Sequence, residues 1–144
     1  MPDSDRKRAA LATFLGEDPR DITPWRDDAS RFEVGQREYL VLTDSEATAR
    51  ALADARESLW AFRGDFWGRY TALPQSTIKA VEKAQGALCE DFGPVLAAIL
   101  GPRLDEMLAD AVAEDGRGHF LASYDGEENE VGTGDNTLYI YRVN

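Results

Sequence analysis

The residues best equipped for chemistry in this 144-residue chain sit together in Gly116-Arg-Gly-His-Phe-Leu-Ala-Ser-Tyr-Asp-Gly-Glu-Glu-Asn-Glu130. His119, Tyr124 and Asp125, with Ser123 and the nearby glutamates, are the types that serve as general acid, general base and orienting group when a fold gathers them around one pocket. The same residues also have a purely structural account. Phe120, Leu121 and Tyr124 would enter the core, Asp125-Gly126 would make a turn, His119 would bond to backbone, and the glutamates would stay in water.

Other chemistries fit less well. Asp125, Glu127 and Asn129 alternate like the first ligands of a calcium loop, but Glu130 stands where such a loop needs glycine, and Asn136 where it needs a bidentate glutamate. One histidine and one cysteine leave no ligand set for a zinc site, so neither a metal nor a cofactor is expected. Cys89 falls near the apolar side of an expected helix and reads as packing. There is no Walker phosphate loop and no nucleophile-elbow serine, and Gly116-x-Gly118 follows an acidic helix rather than a strand.

Charge has a more direct consequence. Sixteen Lys and Arg face 27 Asp and Glu, a formal charge of −11, which disfavours direct binding to nucleic acid. From Asp105 to Asp135 ten carboxylates face a single cation, Arg117. Within that stretch Glu106, Asp110 and Glu114 recur every four residues, about 6 Å apart along a helix. Extended by Glu127, Glu128 and Glu130, this ladder has the regular negative charge of a nucleic-acid backbone and suits the basic surface of a protein that handles one. The competing account is an ordinary soluble acidic face.

These residues need a scaffold, and the length suits one domain over 1–144, with residues 1–31 as an N-terminal helix and irregular connection and 32–144 as the main body. Asp3 to Leu15 reads as a helix capped by Asp3, Ser4 or Asp5, with Leu11, Phe14 and Leu15 inward and Gly16 as its stop. Glu17 to Ser30 reads as a loop anchored by Ile22 and Trp25. Phe32–Val34 and Tyr39–Leu42 predict a hairpin with a four-residue loop, and Thr43-Asp-Ser-Glu46 is a capping box opening a helix through Leu52, Ala55, Leu59 and Phe62 to Gly64. Phe66, Trp67 and Tyr70 suggest a short helix. Ile78, Val81, Ala84, Leu88 and Phe92 outline a long one, broken by Gly93-Pro94. Val95–Leu100 reads as a short buried helix. Leu104, Met107, Leu108, Ala111 and Val112 give the next helix its apolar face, opposite the carboxylate ladder. A strand over Leu138–Val143 closes the chain. The expected fold is α+β, a small antiparallel sheet of the early hairpin and the C-terminal strand packed against four to five helices. No run is long and apolar enough to span a membrane, and no export signal is visible, so a cytoplasmic protein is expected.

Tyr39-Leu-Val-Leu-Thr-Asp-Ser-Glu46, Ser58-Leu-Trp-Ala-Phe62, Asp115–Glu130 and Tyr139-Ile-Tyr-Arg-Val-Asn144 resemble a family of small, mostly uncharacterised acidic phage and prophage proteins. The resemblance runs from about Phe32 to the C-terminus and is most specific in the GRGHFLxSYDGEExE segment. It implies an origin in a mobile element and a cytoplasmic location in the host. Joined to the charge ladder, it leads to the expectation of an inhibitor that binds a basic surface of a host defence complex through Glu106, Asp110, Glu114, Glu127, Glu128 and Glu130. The alternative is a small enzyme or ligand-binding protein with its site at His119, Tyr124 and Asp125. A third reading makes Trp60, Trp67 and Tyr70 a partner surface.

Overall fold

The α+β expectation holds in the computed structural model, which describes residues 2–144. The chain divides into two compact units, a finer division than one domain over 1–144. The first comprises the residues up to Ala51 together with Asp115–Asn144, and the second is Leu52–Glu114.

The first unit is built on an antiparallel sheet of β1 (Thr23–Pro24), β2 (Arg31–Val34), β3 (Arg37–Leu42), β4 (Asn129–Val131) and β5 (Leu138–Arg142), in the order β1-β2-β3-β5-β4. The early hairpin therefore does meet the C-terminal strand, with Leu40 opposite Tyr141 and Leu42 opposite Tyr139. Its turn has two residues, not four. Val34 pairs with Arg37, and Gly35, at φ +63°, takes the first turn position of a type II′ hairpin that glycine alone adopts easily. The chain to the hairpin contains a short 3-10 turn at Pro19–Asp21 and the edge strand β1, where the sequence suggested only loop.

The helix on this sheet is the N-terminal one, α1 (Asp3–Leu15), which packs across β3 and β5. Leu11, Ala12 and Ile22 share one core with Phe32, Val34, Tyr39, Val41, Leu138 and Ile140, so α1 and the connection after it are integral to the sheet's packing. Gly16, at φ +68°, ends α1 as expected. Its N-terminus has no side-chain cap, since Pro2 occupies the cap position. Phe14 and Trp25 lie exposed, and the side chain that α1 buries alongside Leu11 is Lys7. Its ammonium, 1% exposed, reaches Ser30 Oγ at 2.8 Å, Glu46 Oε1 at 2.9 Å and Asp3 Oδ2 at 3.0 Å, so the buried charge is fully paired.

The capping box forms as the sequence requires. The Glu46 amide donates to Thr43 Oγ1 at 3.3 Å and the Thr43 amide to Glu46 Oε1 at 2.9 Å, opening α2 (Asp44–Glu57). That helix stops at Glu57 instead of running to Gly64. Ser58 Oγ bonds the Asp54 carbonyl at 2.6 Å, and Leu59–Ala61 tightens into a 3-10 turn. The remaining helix of the first unit, α7 (Arg117–Leu121), follows Gly116 at φ +85°.

In the second unit, α3 (Gly64–Trp67) leads through a 3-10 turn and irregular residues 71–74 to α4 (Gln75–Leu88). From there α4, α5 (Phe92–Leu100) and α6 (Leu104–Asp115, its last residue counted with the first unit) succeed one another through single 3-10 turns. The long helix expected through Phe92 breaks earlier, at Cys89, which holds φ 51° and ψ −124°. Gly93-Pro94 instead lies in the first turn of α5, where proline's missing N–H costs nothing. Cys89 is exposed and does not pack in the core. Trp67 and Tyr70 are buried, with the Trp67 ring 6.3 Å from Phe92, so they build this unit's core rather than a partner surface. Among the described residues no helix is long and apolar enough to cross a membrane.

Candidate functional site

The carboxylate ladder lies on α6 as the periodicity demands, with Met107, Leu108, Ala111 and Val112 buried on the other side. Within its unit this ladder is not bare charge. Arg103 grips Glu106 through two bonds of 3.1 and 3.2 Å, and Arg69 approaches Glu114 at 3.3 Å. Arg56 meets the neighbouring Asp105 at 2.7 Å. Asp110 accepts the Tyr70 hydroxyl at 2.7 Å. Burial, and then that carboxylate, pushes the Tyr70 phenol up to about 12. Arg103 is a local i,i+3 partner of Glu106, but Arg56 and Arg69 come from more than forty residues upstream, so no local pattern around α6 signalled those two.

In the first unit the organising residue is Arg117. Its Nη1 donates to Asp44 Oδ1 at 2.8 Å, the Asp44 carbonyl at 3.0 Å and Thr48 Oγ1 at 3.1 Å, and its Nε donates to Glu128 Oε1 at 2.8 Å. Its guanidinium lies 4.6 Å from the centre of the Tyr139 ring. Glu128 also accepts the Tyr141 hydroxyl in a very short bond. Burial and then Glu128 push that phenol well above its ordinary range. Burial works against the charge of Arg117, but Glu128 and Asp44 outweigh it and push its pKa up further. This network ties the start of α2, α7, the segment before β4, and β5. Of the six carboxylates assigned to binding, Glu128 is therefore occupied by internal structure.

Around Arg117 the backbone comes close. A side chain at Gly118 would collide with the Gly126 carbonyl, so the segment Gly118–Gly126 closes as a tight loop, with the Gly126 amide bonded to the Ala122 carbonyl at 2.7 Å. On that loop the three residues of the catalytic alternative do separate jobs. His119 is exposed and meets the Phe120 ring edge-on at 4.9 Å. Tyr124 is 59% exposed rather than in the core, with the Arg142 guanidinium 3.6 Å from its ring centre. Asp125 Oδ1 accepts the Glu127 amide at 3.0 Å, the turn role foreseen for it. No hydrogen bond or ring contact among the described residues joins any two of the three.

An open cleft of about 470 Å³ lies elsewhere in the same unit, lined by Thr43, Asp44, Ser45, Gly134, Asp135, Thr137 and Tyr139. The N-terminus of α2 faces it and would favour an anion, but Asp44 and Asp135 repel one, so it has no single electrostatic preference. Among the described residues no cluster of three metal-ligating side chains occurs.

Four carboxylates of the acidic stretch, Asp115, Glu127, Glu130 and Asp135, make neither an ion pair nor a side-chain hydrogen bond among the described residues. All four belong to the first unit, which carries 17 acidic and ten basic side chains. No protein-family model, no curated protein and no solved structure matches this chain.

Proposed function

We propose that the protein is an acidic binding protein that blocks a host nucleic-acid-handling defence complex by occupying its basic surface. The observation that carries this reading is the uncompensated charge of the first unit. Asp115, Glu127, Glu130 and Asp135 stay unpaired although Arg117 lies in the same stretch of chain, because Arg117 is committed to Asp44 and Glu128. Unpaired surface carboxylates steer association with a cationic partner and add little to folding. The phage origin and the cytoplasm of the host as the place of action rest on the sequence resemblance. The ladder on α6 is the secondary contact, since Arg103 and Arg69 offset part of its charge.

The test is competition. A nucleic-acid-binding protein captured from a phage-infected host should release this protein when DNA or RNA is added, and the Glu127→Gln, Glu130→Gln, Asp135→Asn variant should bind at least about tenfold more weakly. Full binding by that variant in the presence of excess nucleic acid would refute the reading. Loss of function in His119→Ala with unchanged stability would instead favour a site on the Gly118–Gly126 loop.

A further inference from the structure

We propose that the free edge of β4 is a docking site for an extended, basic segment of a protein partner, which adds to the sheet as a sixth strand beside Glu130. The inference rests on the acidic-binding reading and names the mode of contact.

The register of the sheet fixes which backbone groups face outward. The Val41 amide donates to the Ser30 carbonyl at 2.8 Å, so Val41 spends its backbone groups on the β2 side, and by alternation Leu40 and Leu42 turn theirs toward β5. Val143 donating to the Glu38 carbonyl at 2.8 Å agrees with that phase. Tyr139 and Tyr141 therefore face β3, whereas Leu138 and Ile140 face β4. Ile140 lies opposite Asn129 and Leu138 opposite Val131, which leaves Glu130 with its N–H and C=O directed away from the sheet. β4 is the last strand in the order, and no strand of the described residues lies beyond it. Glu130 thus offers one donor and one acceptor to an incoming strand, and its exposed side chain has no ion-pair partner.

The two edges of the sheet are defended differently. β1 has only two residues, one of them Pro24, which removes an edge donor. β4 holds no proline and no lysine, and the unpaired charges that guard it are the carboxylates of Glu127 and Glu130, Glu128 being held by Arg117. Such a guard repels a second copy of this chain by like charge but attracts a strand carrying lysine or arginine. The strand that fits places a basic residue opposite Glu130, where facing Cα atoms stand about 5.5 Å apart in a hydrogen-bonded pair. Main-chain bonds then give affinity and the charge gives selection, as in other strand additions. Gly132, at φ +101° and with a Cβ position only 2.6 Å from the Asn136 carbonyl, turns the chain away and limits the site to the stretch ending at Val131.

The experiment uses the full chain and three labelled seven-residue peptides: alternating lysine and valine, the same peptide with its pairing amides N-methylated, and alternating glutamate and valine. Binding of the lysine peptide at least about tenfold tighter than either control is expected, with slowed amide exchange at Glu130 and about tenfold loss in both Glu130→Gln and Glu130→Lys at unchanged melting temperature. Equal binding of the N-methylated peptide would overturn strand addition while leaving the acidic-binding reading intact, because attraction without backbone pairing would explain it. Failure of the lysine peptide to bind a protein that still engages its captured partner would also overturn it. Failure of the partner competition described above is a separate result and refutes the parent reading instead.

Discussion

Arg117 is the side chain on which the first unit's polar structure depends. Its side chain is only 14% exposed and satisfies Asp44, Thr48 and Glu128 at once, so Arg117→Ala removes the cation that holds Glu128, whose side chain is 31% exposed, and Asp44. The expected loss is about 2–4 kcal/mol, read from urea denaturation, and Arg117→Lys should recover little of it because an ammonium cannot span the same partners. Cys89 gives a prediction of opposite sign. Its φ of 51° and ψ of −124° nearly match the 54° and −127° of Gly101, the residue at the corresponding break between α5 and α6. Cys89→Gly should therefore stabilise the protein by about 1 kcal/mol, and Gly101→Ala should destabilise it by a similar amount. Neither role was legible in the sequence. Arg117 stood out only as the single cation among ten carboxylates, and which of them it would serve depends on α2, some seventy residues earlier. Cys89 was masked by the helical spacing of Leu88 and Phe92, which carries no information on the break between them.

At the scale of elements, local signals performed well where the chemistry is local. The capping box at Thr43 and Glu46 is two reciprocal bonds three residues apart, so the sequence alone specifies it. Thr43→Ala should cost about 0.5–2 kcal/mol in a thermal or urea melt, and an unchanged midpoint would contradict the cap. What the motif did not disclose is that Glu46 also serves Lys7, a contact 39 residues away. Burial pushes the Glu46 carboxyl up, but the Thr43 amide and the Lys7 ammonium outweigh it and hold it below its usual 4.5. Arg50 holds Asp28 below its usual 3.8 against the opposing effect of burial, with the Ser30 amide assisting. For a carboxyl depressed in the folded state, the stabilisation is complete above the unfolded value and is lost as pH falls through the folded one. Stability should therefore begin to fall below about pH 4.5, and Asp28→Asn should flatten that acid slope in urea midpoints measured from pH 6 down to pH 2.5.

Across the whole molecule, composition foretold the acidic character and periodicity foretold the α+β class, whereas two features required the folded chain. Leu11 of α1 turns inward as its spacing indicated, but that Ala12 and Lys7 are buried beside it while Phe14 stays exposed follows only from the packing on the sheet. The three residues of the catalytic alternative are neighbours in sequence but unconnected in space, since a tight loop around Gly118 and Gly126 sends His119 and Tyr124 out to solvent. Charge that looked uniform along Asp105–Asp135 is likewise sorted by folding. Glu106, Glu114 and Glu128 face arginines, and Asp115, Glu127, Glu130 and Asp135 do not. That sorting makes a quantitative claim, because exposed unpaired charges are screened over about 8 Å at physiological ionic strength and should set the salt response of binding. The decisive measurement is the dissociation constant for a captured nucleic-acid-binding partner from about 50 to 500 mM salt, for the wild type, the Glu127→Gln, Glu130→Gln, Asp135→Asn variant, and a Glu106→Gln, Asp110→Asn, Glu114→Gln variant. The account predicts a steep loss of affinity with salt in the wild type, a markedly shallower slope in the first variant and a smaller change in the second. A slope that is flat in the wild type, or identical in all three proteins, would contradict it.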